Sequence, residues 1–88
     1  MSCESFVESS TTLSVLSAKV LEGVAVGSST VQLASELYLS RQGVEYHVNL
    51  MLRKFQVPNR AALVSRVYSM GIFDHTAWPP AVLPEYIR

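Results

Sequence analysis

Hydrophobic residues recur at three- and four-residue steps along four stretches of the chain, and this spacing predicts four amphipathic helices. The clearest stretch is 41–55, where a buried stripe is expected on one side and polar side chains on the other. The apolar stripe consists of Val44, Val48, Met51, Leu52 and Phe55. The polar face consists of Gln42, Glu45, Tyr46, Asn49 and Arg53. Such a helix is suited to reading DNA, but the pattern alone also fits an ordinary surface helix.

The boundaries of the helices follow from hydroxyl side chains that can accept a hydrogen bond from a first-turn N–H group. The first helix is predicted to begin at Ser14, and Ser28 or Ser29 is expected to cap a second, short helix. A tight link at 38–39 follows, and Ser40 is expected to cap the long helix. Two short helices, a tight turn and a longer helix have the spacing of a helix-turn-helix.

The fourth predicted helix, from Arg60 to about Met70, has two apolar faces. The first face is expected to join the core and consists of Leu63, Val67 and Met70. The second consists of Ala61, Val64 and Tyr68. Because so small a domain has one core, the second face predicts a surface for a partner, unless the C-terminal tail covers it.

The two ends of the chain differ in composition from the middle. Residues 1–12 are polar and are expected to form a flexible leader, and residues 74–88 form an apolar, proline-dense extension. We expect the extension either to wrap back over the fourth helix as a strap or to dock on another protein. The residues that would meet such a partner are Trp78, Pro79, Pro80 and Tyr86.

Composition and charge narrow the possible functions. The net charge is zero, yet residues 41–66 carry five basic side chains against one carboxylate, which favours a modest phosphate-binding surface. No stretch is apolar enough for a membrane span, and the N-terminus lacks the pattern of a secretory signal. No cluster has metal-ligand spacing, no cofactor is expected, and no catalytic constellation points to an enzyme. A cytoplasmic location is therefore expected.

The order of these residues resembles the LuxR/GerE-type helix-turn-helix pattern, without a gap, over residues 13 to about 73. The matching positions include Leu33-Ala34, Leu39-Ser40, His47, Leu52-Arg53-Lys54-Phe55 and Asn59-Arg60. The resemblance implies an all-α, four-helix DNA-binding domain at residues 13–73, which dimerises through its fourth helix and places its third in the major groove. A chain of 88 residues beginning with Met favours a stand-alone member of the bacterial family.

The resemblance also implies roles for individual side chains. Base-reading positions fall on Glu45, Tyr46 and Asn49, whereas His47 is expected to be packed against the domain. The residues expected to contact the DNA backbone are Ser29, Thr30, Arg41, Gln42, Arg53, Lys54 and Arg60.

Four positions depart from what the family usually has. Ser17 replaces an acidic residue, Val31 a lysine, Gly43 a threonine and Glu45 a lysine. The last three weaken contact with phosphate, although a glutamate can also accept a hydrogen bond from cytosine N4. The leading hypothesis is therefore a transcription regulator that binds a near-palindromic site as a homodimer. The alternative is an interaction module that heterodimerises with another regulator or docks on RNA polymerase, with weak or no DNA binding.

Overall fold

A computed structural model describes residues 12–88, which form four α-helices and one short 3-10 turn. The helices and the turn are α1 (Val15–Ala25), α2 (Thr30–Leu37), α3 (Arg41–Phe55), α4 (Arg60–Ser69) and the turn Pro84–Tyr86. Within residues 12–88, β-type pairing is confined to two isolated bridges, so the expected all-α fold is confirmed. Most of the leader predicted at residues 1–12 lies outside the described part of the chain.

Each helix begins at a side chain that caps it, as the sequence indicated. Ser14 Oγ accepts from the Ser17 N–H at 3.1 Å, and Ser40 Oγ accepts from the Gly43 N–H at 2.9 Å. Asn59 caps α4 in the same way. At α2 the cap is reciprocal, because Ser29 and Gln32 each bind the other's backbone N–H. These bonds satisfy first-turn donors that have no partner within the helix.

The long helix α3 lies at the centre of the domain and contacts α1, α2 and α4. The predicted stripe is buried at Val44, Val48, Met51 and Phe55, while Leu52 is partly buried. The opposite side of α3 stays exposed, and this exposed side is the one available to a ligand.

The C-terminal extension folds back on the domain, but it does so along α1 rather than over α4. The Leu13 N–H donates to the Tyr86 carbonyl at 2.7 Å, and the Arg88 N–H donates to the Leu13 carbonyl at 2.8 Å. Closer to α4, Phe73 forms a bridge with Val82, whose N–H donates to Glu22 of α1. The expected strap therefore exists with a different partner, because its backbone pairs with the segment that precedes α1.

The end of α4 differs from the prediction at one position. Met70, expected on the core face with Leu63 and Val67, is the C-terminal cap of α4 and is exposed. Gly71 follows with a φ of 74°, a left-handed conformation that turns the chain, so Ile72 and not Met70 enters the core.

Candidate nucleic-acid interface

Helices α2 and α3 form the two halves of a helix-turn-helix. The link between them turns at Tyr38, which adopts the left-handed conformation with a φ of 57°. Its N–H donates to Ala34, closing the last turn of α2. Ser40 then starts α3 directly, so the two helices are held at a fixed angle by a link of three residues, 38–40.

An open groove of about 750 Å³ lies between the N-terminus of α2 and the exposed side of α3. Seven residues predicted from the sequence to contact bases or backbone line it, together with Val31. They are Ser29, Thr30, Arg41, Gln42, Glu45, Tyr46 and Asn49. Tyr46 and Asn49 are both exposed at this surface. The groove can therefore present donors, acceptors and one aromatic ring to an elongated ligand.

Glu45 is tied into a three-residue cluster that joins α2, α3 and α4. Its Oε2 atom lies 2.7 Å from Arg60 Nη2 and accepts a 2.7 Å hydrogen bond from Thr30 Oγ1. Arg60 Nη2 also donates to Thr30 Oγ1 at 2.7 Å. The side chains of Arg60 and Glu45 are 33% and 47% exposed, so the pair remains in contact with water. The cluster neutralises a cation that was expected to contact the DNA backbone.

The two basic residues near the end of α3 have different environments. Arg53 is exposed on the same side as Asn49. Lys54 is partly buried, and its Nζ donates to the Thr12 carbonyl at 2.8 Å, which ties the start of the described chain to α3. Burial, followed by repulsion from Arg88, lowers the pKa of the Lys54 ammonium from its usual value. Arg53 is therefore the more available phosphate contact.

Ser17 of α1 is buried and lies against His47 of α3. The Ser17 Oγ and His47 Nδ1 atoms are 3.1 Å apart, and the His47 ring meets Tyr46 edge-on at 5.5 Å between centroids. His47 is thus half-buried, in contact with Ser17 of α1 and with the Tyr46 ring. The sequence contained no local signal for the bond, because 30 residues separate the two side chains.

The second apolar face of α4 is partly open. Ala61 and Tyr68 are exposed, and Val64 packs partly against the core. The Tyr68 ring contacts Phe73 at 4.8 Å between centroids, so one of its sides is already occupied.

The four tail residues predicted to meet a partner are in unequal positions. Trp78 is 78% exposed, and Pro79 is also exposed. Pro80 is buried within the domain, and Tyr86 is half-buried against the core. A role in binding a partner stays a prediction, and Trp78 is the side chain most available for it.

Among residues 12–88, His, Cys, Asp and Glu form no group of three or more that could hold a metal ion. Over that range, no helix is both long and apolar enough to cross a membrane.

A short capped helix, a tight turn and a longer helix with an exposed polar side define a helix-turn-helix domain of the kind that binds DNA. The family model of the luxR family of bacterial regulatory proteins matches residues 11–67, about two thirds of the chain. The chain therefore belongs to the luxR family, whose domains are DNA-binding regulators and not enzymes. No curated protein matches the chain.

Proposed function

We propose that this protein regulates transcription in the bacterial cytoplasm, at the nucleoid, by binding a near-palindromic DNA site as a homodimer. In this proposal α3 enters the major groove, and α4 forms the interface between the two copies. The observation that carries the proposal is the groove at α2 and α3, where seven predicted DNA-contacting residues meet on one exposed surface. A dimer with two-fold symmetry reads two half-sites in opposite orientation, which is why a near-palindrome is expected.

Base reading is assigned first to Tyr46 and Asn49. An asparagine amide can donate to and accept from adenine in the major groove, and an aromatic ring can contact a thymine methyl group. Glu45 was expected to read a base as well, but its Oε2 atom is engaged by Thr30 and Arg60. Glu45 can therefore read a base only if this cluster rearranges or if the other carboxylate oxygen of Glu45 makes the contact.

Backbone contacts are assigned to the rim of the same surface. Ser29 and Thr30 lie at the N-terminus of α2, whose N–H groups favour an anion, while the Thr30 hydroxyl already donates to Glu45. Arg41, Gln42 and Arg53 lie at exposed positions of α3. Such contacts set affinity and register, whereas the contacts of Tyr46 and Asn49 would set sequence preference.

Selection of bound duplexes from a random-sequence pool, followed by gel-shift titration, tests the DNA-binding proposal. The expected result is an enriched site with two-fold symmetry, and Asn49→Ala should weaken that site selectively by about 1–3 kcal/mol. Arg53→Ala should instead weaken all duplexes to a similar extent. Failure of the folded protein to shift any duplex at low salt would overturn the proposal.

Dimerisation requires its own test. Ala61→Glu places a charge on the exposed side of α4 and should shift the protein to monomer in sedimentation equilibrium, with loss of affinity for the full site. Arg66→Gln changes the net charge by the same amount on a different exposed side of α4 and serves as the control. Identical sedimentation of Ala61→Glu and the unmodified protein would contradict an interface at this position.

A second candidate function is an interaction module, and the exposed Trp78 favours it. The partner would be another regulator of this family or RNA polymerase, and DNA binding would be weak. Trp78→Ala should then abolish capture of the purified partner, with DNA binding unchanged. Deleting the whole tail is a poorer test, because it also removes Val82 and Ile87 from the core.

A further inference from the structure

A second pocket, of about 450 Å³, lies on the flank of α3 that faces α1. Three cationic side chains line it, two consecutive ones on α3 and one at the end of the tail, and no carboxylate side chain does. Its lining consists of Leu13, Ser14, Ser17, Leu50, Met51, Arg53, Lys54 and Arg88. We call it the tail-side pocket. Three cationic side chains with no anionic side chain among them favour an anion at this concave surface.

The backbone of the tail holds Arg88 at this pocket. The Tyr86 carbonyl accepts from Leu13, and the Arg88 N–H donates back to the Leu13 carbonyl. These two bonds form a parallel bridge between Leu13 and Ile87. The path of the tail along α1 therefore adds a third cation beside Arg53 and Lys54.

The charges at the pocket repel one another. The Arg88 guanidinium contributes to the lowered pKa of Lys54, which indicates that its charge acts on that ammonium. Unlike Arg60, none of the three cations forms a salt bridge within the described residues. An anion bound between them would relieve the repulsion.

The position of the pocket relative to the exposed side of α3 indicates which anion it suits. Successive residues of a helix are rotated by about 100°, so Gln42, Tyr46, Asn49 and Arg53 form one stripe along α3. The groove at α2 lies to one side of this stripe, and Leu50 and Lys54, which line the tail-side pocket, lie to the other. The major groove is about 12 Å wide and is nearly filled by a helix, so the two flanks of that helix face the two phosphate backbones.

We propose that the tail-side pocket binds a backbone phosphate of DNA, with Arg88 as a phosphate-binding residue. One DNA strand lies at the N-terminus of α2, and the phosphate at the tail-side pocket belongs to the opposite strand. This inference rests on the proposed function. It gives the C-terminal tail, which lies beyond the family match, a direct part in DNA binding. Arg88 and Arg53 supply the charge, the bridge at Leu13 holds the tail, and Lys54 fixes the preceding Thr12 to α3.

The test measures binding of Arg88→Ala to a duplex of mixed sequence by fluorescence anisotropy at a series of salt concentrations. One lost phosphate contact should lower the salt slope by about one and weaken binding at 0.1 M salt by about eightfold, similarly for every sequence. Lys19→Ala removes the same charge from an exposed site on α1 outside the pocket and should leave the slope unchanged. Circular dichroism establishes that each variant is folded, and Arg88→Gln replaces Arg88→Ala if the latter unfolds.

Ethylation interference shows directly which DNA strand supplies the phosphate that the tail-side pocket contacts. Ethylating one phosphate of the second strand should weaken binding of the unmodified protein but not of Arg88→Ala. If Arg88→Ala keeps the affinity and slope of a protein that does bind DNA, the inference is overturned and the proposed function stands. If Arg88→Ala loses affinity for one duplex sequence only, the inference is also overturned, because such a loss indicates that Arg88 reads a base. If the unmodified protein binds no duplex, both fail.

Discussion

Replacing Glu45 with glutamine should strengthen binding to all DNA. Glutamine keeps the size of the side chain and can still accept a hydrogen bond from Thr30, but it removes the negative charge that neutralises Arg60. The surface at α2 and α3 then gains one effective positive charge. Counterion release predicts a salt slope steeper by about 0.9 and, at 0.1 M salt, binding tighter by about eightfold.

The cost to folding should be small. The Glu45–Arg60 pair is in contact with water on both sides, and exposed ion pairs contribute about 0.2–1 kcal/mol to the free energy of unfolding. Glu45→Gln should therefore lower that free energy by less than about 1 kcal/mol in urea denaturation. The variant remains folded, and a change in DNA affinity can be attributed to charge.

The assay is fluorescence anisotropy with several unrelated duplexes between about 50 and 200 mM salt, a range in which phosphate contacts dominate the change in affinity. Glu36→Gln, which removes the same charge from an exposed position of α2 outside the groove, is the matched control and should change the slope little. If Glu45→Gln binds no tighter than the unmodified protein, Glu45 does not restrain Arg60. If it loses affinity for only the selected site, Glu45 reads a base.

Three further substitutions test the packing and the helix ends by urea denaturation. Gly23→Ala should lower the free energy of unfolding by about 1–2 kcal/mol despite the better helix propensity of alanine, because the new Cβ would collide with the buried Leu33. Gln56→Gly should raise it by about 0.5–1 kcal/mol, since Gln56 has a φ of 58°. Ser17→Ala should lower it by about 1 kcal/mol by removing the hydrogen bond to His47. A change of opposite sign would contradict the reasoning in each case.

The four helices could be predicted because each boundary depends on residues close in sequence. A cap such as Ser40 binds an N–H group three residues later, and the apolar period of α3 repeats within one turn. The exposed side of α3 follows from the same period, so local chemistry was sufficient for the helices and their exposed faces. The residues expected at the groove came from the family resemblance, since periodicity does not specify how α2 packs on α3.

The partners of the charged residues could not be predicted in the same way. Glu45 meets Arg60 across 15 residues of sequence, and helical periodicity specifies only the face on which each lies. Arg88 lines the same pocket as Arg53 because the tail follows α1. The prolines of the tail favour an extended chain but do not indicate its direction. Met70 was misplaced because its spacing from Leu63 and Val67 is helical, whereas the helix ends at Ser69 and the turn at Gly71 directs Ile72 into the core instead.

The positive charge available at the proposed DNA-binding surface is therefore smaller than the number of basic residues in 41–66 suggests. Arg60 is neutralised by Glu45, and Lys54 is directed to the Thr12 carbonyl, so two of the cations in 41–66 contribute less to the surface than their number suggests. On the proposed function, phosphate binding then depends on cations that line the two pockets on either side of α3, with Arg88 supplied from outside the family match. Weak non-specific attraction follows, and sequence preference depends more on the polar side chains of α3 than on net charge.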